Sequence, residues 1–400
     1  MLHLTYLILD SSLTLDNSPV LQSQVLDKLQ NQAASGIKVG LVTSVENEFE
    51  FENIWPEQLQ GLDVPIVTFR HRSLLKTVWS GARALRCFQS NHPSNNVYVR
   101  GIWGALAHLI AFPIGGPQLI YDFRGDGVAE AESRGRSGPR MWVLKMLTRF
   151  FIRRADQLLC ISHPAAKTLS LKYGRQDAVV FPSAVDAEQF GAGRVDRAKK
   201  RAELGLRDDD ILLVYAGGIN AYQMIPEMLN IWASLGYLPY VRYLLLLSKQ
   251  PSPDERPSWE SIIPPSRIAT ATVQRNEVPA YLAASDVGFL LRQNHPLNNV
   301  ASPVKFGEYL ASGLAVVTSP DLGDVSRIVE DHKLGILIDP DDIQRSAEAC
   351  GNFLEMVKGD RDGFVYRSQN AVETENMSWP SHLDLWRKLL GLDTSETVLS

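Results

Sequence analysis

The chain has 400 residues, 45% of them hydrophobic, with 40 Lys+Arg against 45 Asp+Glu. This length exceeds one typical domain and suits two of about 200 residues. The composition is that of an ordinary globular protein and excludes a disordered or fibrous chain, and no run of 18 apolar residues is present to span a membrane.

The first ten residues, MLHLTYLILD, lack a basic start and stop at Asp10, so they read as a first strand and not as a signal peptide. Strand-like runs follow at 37–43, 65–69, 97–100, 118–123, 157–161 and 179–181, with helical patterns between most of them. After Pro182 the chain turns polar, and a second series begins with runs at 211–215, 241–247, 267–273, 287–291, 314–318 and 336–338. Two successive series of this kind predict an α/β protein with two doubly wound, Rossmann-like parallel sheets. The expected domains are 1–182 and 183–378, with a last helix at 379–390 crossing back to the first domain and a tail to 400. Open parallel sheets bind ligands outside the carboxyl ends of their strands, so a cleft between the two domains is the expected site.

Cys87, Cys160 and Cys350 are scattered, odd in number and in no ligand spacing. They point to a reducing, cytoplasmic location without a disulfide frame or zinc site. Charge is uneven: residues 70–175 hold 17 basic and 5 acidic residues, while residues 191–400 hold 21 and 28. One basic helical pattern runs from Arg70 to Arg86 and includes Leu74, Leu75 and Trp79. The other, RGRSGPRMWVLKMLTRFFIRR at 134–154, sets Arg140, Lys145, Arg149 and Arg153 among Trp142, Met146 and Phe150. A basic aromatic helix suits the anionic inner face of a membrane, where each cation contributes about 1 kcal/mol. Arg140, Trp142, Lys145, Arg149 and Arg153 are therefore expected to make a peripheral membrane contact. The bland alternative is a packed helix with a solvated basic face. Nucleic acid is disfavoured, because no binding motif appears and the second half is acidic.

Residues 302–317, SPVKFGEYLASGLAVV, form the most informative stretch. Ser302 is expected to cap a helix that Pro303 opens and Gly313 ends, ahead of a buried strand. A helix start offers free N–H groups and a positive dipole end to an anion such as a diphosphate. Lys305 adds a full charge there, and the Glu308 carboxylate one turn on can accept hydrogen bonds from sugar hydroxyls. Together they suggest a nucleotide site.

Several further segments point the same way: AASDVGFLLRQ, ASPVKFGEYLASGLAVVTSP and IVEDHKLGILID between Ala283 and Asp339, LLVYAGGINAYQMIPEML, VVFPSAVDAEQF, ISHPAAKTL and LIYDFRGDGVAEAE. With these motifs nearly the whole chain resembles the retaining GT-B glycosyltransferases of family 4, in particular a subgroup of bacterial surface-polysaccharide assembly. The resemblance implies a nucleotide-sugar donor bound by the second domain and a lipid-linked or glycan acceptor bound by the first. It also implies retention of configuration and no metal or other cofactor, and no ligand cluster in the sequence suggests a metal.

Carried over residue by residue, Glu308 matches the second Glu of a Glu-x7-Glu pair and implies ribose binding, whereas the first position is Val300. A branch with this departure places Ser-Pro-x-Lys before the helix, which implies that Ser302, Pro303, Val304 and Lys305 face the diphosphate. Gly217 and Gly218 match the glycine turn. The family's Arg and Lys after that turn are replaced by Gly218 and Gln223, which leaves Arg292 and Lys305 as candidates to neutralise the leaving phosphates. Where the family often has a His after the fifth strand, this chain has Arg124. The glycine-rich loop after the first strand is missing, and Ser18 and Pro19 stand there on the acceptor side, with Arg100 and Glu130. Val273, Gln274 and Arg275 end a strand where a base stacks. Asp126, Glu130 and the donor phosphate are candidates to receive the acceptor's proton. Asp208–Asp210 precede a strand, the wrong end for a site, and read as a solvated turn. His108 reads as packed, His163 as a surface residue at a helix start, and His295 as a loop residue near the donor. The rival readings are a non-catalytic partner on the same fold and a nucleotide-sugar epimerase.

Overall fold

The computed structural model describes residues 1–9, 25–45, 62–71, 73–133, 135–191, 193, 196–248 and 262–392. Ser18, Pro19 and the tail after Leu392 lie outside the described residues. The chain divides into two compact units. Unit 1 is Met1–Pro182 with Pro380–Ser400, and unit 2 is Ser183–Trp379.

Unit 1 contains seven parallel strands: β1 Leu2–Ile8, β2 Val39–Val45, β3 Ile66–Arg70, β4 Ser94–Arg100, β5 Gln118–Phe123, β6 Gln157–Cys160 and β7 Val179–Val180. Their order is β3-β2-β1-β4-β5-β6-β7. Strand order reverses at β1, which pairs with β2 on one side and β4 on the other. Leu4, Leu7, Leu41, Val42, Val97 and Val99 are fully buried. A parallel strand covered on both faces by helices reads as such a continuous apolar run. β4 starts three residues before the expected position because polar residues extend it. Ser94 pairs with Leu2 in the ladder, and the Asn96 side chain donates to the His3 carbonyl at 3.0 Å.

Unit 2 contains six parallel strands: β8 Ile211–Gly217, β9 Val241–Leu247, β10 Ile268–Thr272, β11 Val287–Leu290, β12 Ala315–Thr318 and β13 Gly335–Leu337. Their order is β10-β9-β8-β11-β12-β13, and it reverses at β8. Both units are thus doubly wound α/β sheets. The Asp208–Asp210 run differs from its expected character. Asp208 and Asp209 are exposed, but Asp210 is buried and paired with Arg207 at 3.1 Å and Arg242 at 3.4 Å.

The helix Trp379–Leu390 follows unit 2 in sequence and packs on unit 1. Its Trp386 is fully buried, with its ring centroid 5.1 Å from that of Phe181 and 6.1 Å from that of Tyr98. Gly391, at φ +65°, ends the helix in the left-handed conformation that glycine adopts without strain.

Candidate functional site

In unit 2 the candidate residues gather at the carboxyl ends of β8 and β11, the two strands that flank the reversal. The helix Val304–Ala311 starts there with Pro303 at its N-cap and no side chain capping it. Ser302 is not the cap that the sequence predicts. Its hydroxyl accepts the Ser183 N–H at 2.8 Å, and its carbonyl accepts the Ser183 hydroxyl at 2.6 Å. The helix start is thereby left open to an anion. At the other end Gly313, at φ +76°, donates its N–H to Leu310 O at 2.9 Å, and Leu314 donates to Tyr309 O at 3.0 Å. This double bond pattern closes the helix as expected.

Lys305 Nζ lies 2.7 Å from Glu308 Oε2, and Glu308 is only 3% exposed. Tyr309 accepts the Ala216 N–H at 2.9 Å, which fixes the helix to the end of β8. Arg292 follows β11 by two residues. Its N–H donates to Ser319 Oγ at 2.8 Å, and its guanidinium stands 5.7 Å from the Tyr222 ring centroid. Burial lowers its pKa from the ordinary arginine value, yet a guanidinium keeps its charge at neutral pH. Gln293 N–H donates to Tyr222 O at 3.3 Å, so the loops after β8 and β11 meet.

The glycine turn, Gly217-Gly218, continues β8. Tyr215 Oη lies against the Gly218 carbonyl and 2.7 Å from Gln223 Oε1. Gln223 is buried. The position that would carry a phosphate-binding cation therefore holds a neutral amide engaged within the protein. Tyr215, Tyr309 and Ser319 were not singled out in the sequence although each lies within a quoted motif, because their hydrogen-bond partners come together only in the fold.

Val273, Gln274 and Arg275 stand apart, after the edge strand β10, two strands away from β8. Gln274 forms a capping box with Glu277, its N–H 2.9 Å from Glu277 Oε2. His295 accepts the Leu297 N–H at 3.3 Å within its own loop.

In unit 1, Arg100 ends β4 and Arg124 follows β5. Arg124 Nε donates to Asp122 Oδ2 at 2.6 Å, and Tyr98 Oη donates to the same carboxylate. Burial alone would raise the Asp122 pKa. Arg124, Lys28 and Arg100, with the Tyr98 hydrogen bond, hold it below the usual carboxylate range. Asp126 is held by the start of the helix that follows it and by a lysine. Its Oδ1 accepts the Val128 and Ala129 N–H groups at 3.1 Å, and its Oδ2 pairs with Lys172 at 2.6 Å. Glu130 lies on the helix Gly127–Ser133 that Asp126 caps. His108 is packed, its ring 3.0 Å from Pro117 O and its pKa lowered by burial.

The helix Pro139–Arg154 buries Met141, Thr148, Phe151 and Ile152. Its outer face exposes Trp142 (64%), Val143, Met146 and Phe150. Arg140, Lys145, Arg149 and Arg153 are exposed between them, and Lys145 pairs with Glu132 at 2.5 Å. Arg134 lies outside the described residues. In unit 1 the helix Leu74–Asn91 likewise exposes Leu75 and Trp79.

The family described as glycosyl transferase 4-like domain matches residues 21–184, and the family described as glycosyl transferases group 1 matches residues 214–356. Among curated proteins, the chain is 28% identical over 207 residues to TuaH of Bacillus subtilis (strain 168), assigned to teichuronic acid biosynthesis as a glycosyltransferase. That match spans half of each chain, so it covers only about half the length of the curated relative. A glycosyltransferase from Rickettsia africae ESF-5 has a similar structure, with a TM-score of 0.74 at 12% identity over 98% of this chain and 99% of that one. The structure of Anabaena Alr3699/HepE in complex with UDP and glucose gives 0.69 at 14% identity over 98% and 100%. Likeness at this identity shows the fold.

Proposed function

The chain belongs to the family 4 type of group 1 glycosyltransferases, with the GT-B fold, and from that premise we propose that it moves a sugar from a nucleotide-sugar donor to a lipid-linked or glycan acceptor in surface-polysaccharide synthesis. Unit 2 binds the donor and unit 1 the acceptor. The observation that carries the reading is the joining of an uncapped helix start, Lys305, Glu308 and Arg292 at the carboxyl ends of β8 and β11. The UDP bound by the Anabaena neighbour adds support for a nucleotide there.

Breaking a sugar–phosphate bond develops negative charge on the departing diphosphate, and catalysis needs donors already aimed at it. The helix start, Lys305 and Arg292 supply positive potential without a metal ion. Glu308 accepts ribose hydroxyls, and Lys305, now paired with it, orients that carboxylate and reaches the phosphates. Configuration is retained. The acceptor's proton goes to Asp126, to Glu130 or to the donor phosphate. The exposed apolar and basic face of the helix Pro139–Arg154 rests on the cytoplasmic face of a membrane. A non-catalytic partner is the second reading. It is favoured by Gly218 and the buried Gln223, which stand where two phosphate-binding cations would be.

The deciding experiment is thermal unfolding of wild type and Glu308→Ala with UDP, GDP, ADP and CMP. A ligand at 100 times its dissociation constant contributes about 2.7 kcal/mol, or roughly 5–10 °C for a unit of this size. One nucleotide should raise the midpoint in wild type and not in Glu308→Ala. No response to any of the four would favour the non-catalytic partner.

A further inference from the structure

The helix Val304–Ala311 carries in its own sequence the means to close its start. A serine at an N-cap accepts the N–H of the second or third helical residue through its hydroxyl, and its carbonyl accepts the first intrahelical bond. With Ser302 as cap and Pro303 as first residue, the hydroxyl would take the N–H of Val304 or Lys305, and the carbonyl would take that of Phe306. Pro303 has φ −68°, already the value of a first helical residue, and only its ψ of 123° is extended. Rotation of that one angle would lengthen the helix by a residue and cover N–H groups that a diphosphate needs.

In the structure both Ser302 groups are engaged elsewhere. Its hydroxyl accepts the Ser183 N–H and its carbonyl accepts the Ser183 hydroxyl. The Phe306 N–H donates to Pro303 O at 3.0 Å instead. Among the described residues no side chain caps the helix, and no backbone carbonyl takes the N–H of Val304 or Lys305. Ser183, 5% exposed, is the first residue of unit 2 and is itself held in place. Two residues on, Val185 donates its N–H to Met377 O at 2.8 Å and pairs with Ser378 in a parallel bridge. Val185 and Met377 also lie against the same helix, where a Cβ on Gly307 would stand 3.3 Å from each. That close approach accounts for a glycine inside a helix, where it otherwise weakens the element. The held and the capping arrangements of Ser302 each use its hydroxyl and its carbonyl once. Hydrogen-bond number therefore favours neither, and the presence of Ser183 decides between them.

We propose that Ser183 is a positioning residue for the donor diphosphate. It keeps Ser302 off the helix start, and a released Ser302 caps the helix and excludes the phosphates. The proposal rests on the reading of this helix start as part of the donor site. A diphosphate on the Val304 and Lys305 N–H groups favours the held arrangement in turn, since a ligand shifts a two-state equilibrium toward the state that it binds.

The test is titration calorimetry of the full chain with UDP, GDP and ADP. Ser183→Ala removes the bond to the Ser302 carbonyl. It should weaken binding of the responsive nucleotide about fivefold, the weight of one net hydrogen bond. Ser302→Ala, added to Ser183→Ala, deletes the hydroxyl that would cap the helix and should restore most of the loss. A merely structural role for Ser183 predicts no such recovery, because the second change then removes one more bond. The same second change should leave the loss in Glu308→Ala unrestored. Ser183→Ala binding as tightly as wild type, or a double variant binding no better than Ser183→Ala, would overturn the proposal while leaving the donor reading intact. Wild type binding none of the three nucleotides would overturn the donor reading, and the proposal with it.

Discussion

The buried ring of Tyr309 fills the space beside Gly288, where a methyl group would lie 2.4 Å from Tyr309 Cδ2. Tyr309 also takes the Ala216 N–H, so Gly288→Ala should push the helix bearing Lys305 and Glu308 away from β8. We expect a loss of about 1–3 kcal/mol in unit 2, read by urea unfolding, with weaker nucleotide binding. An unchanged midpoint would mean that the ring moves aside freely. Lys28 gives a pH prediction. Its folded pKa lies below the unfolded value of about 10.4, so the folded state binds fewer protons in that window and stability rises with pH there. Arg100, Arg124, Asp122 and Tyr98 face the amine. The raised pKa values of Tyr98 and Tyr6 oppose the trend only above about pH 10. Lys28→Met should therefore be the more stable protein near pH 7, with the gap to wild type narrowing toward about pH 9.5 in urea titrations. A constant gap would place the folded pKa at the ordinary lysine value. Lys305 and Glu308 were legible in the sequence because they share one helix turn. Lys28, Tyr98 and Asp122 were not, since 70 and 24 residues separate the bonded pairs. The Asp126 cap was legible in principle, because an Asp just before a helix start is first of all a cap.

At the scale of elements, the strands were the most legible. β5 and β9 run between the same residues in sequence and structure, since parallel strands covered on both faces leave apolar runs that polar turns bound. The start of the helix Val304–Ala311 was less so. Ser302 has the right chemistry for a cap, but a residue 119 positions away claims its hydroxyl, and no local pattern reveals that. The helix Pro139–Arg154 presents Trp142, Val143, Met146 and Phe150 to solvent on its basic side, more apolar surface than a solvated basic face requires. Arg149→Gln with Arg153→Gln should weaken binding to anionic vesicles by about 30-fold at low salt, from about 1 kcal/mol per cation. Trp142→Glu should weaken it further and leave nucleotide-induced stabilisation unchanged. Equal sedimentation of wild type and variants with vesicles would remove the membrane role from this helix.

At the scale of the whole molecule, two units with separate cores should not unfold as one. Calorimetry should show two transitions, with the responsive nucleotide raising only that of unit 2. Trp386→Ala should lower the other by about 3–5 kcal/mol, the cost of deleting a buried Trp. A single transition moved by both changes would mean that the units melt together. The double series of strands made two domains legible, but the identity of the helix that completes unit 1 rested on a single amphipathic pattern near the end of the chain. Its late position has a consequence for biosynthesis. Residues 183–379 leave the ribosome as one uninterrupted piece that contains everything unit 2 needs. The half translated first must wait through roughly 200 further residues, about 10–40 s at 5–20 residues per second, before Trp386 can cover Tyr98, Phe181 and Lys28. Through that interval the nascent amino-terminal half carries an open apolar seam, the kind of surface to which a chaperone binds, and the domain begun first is the one finished last.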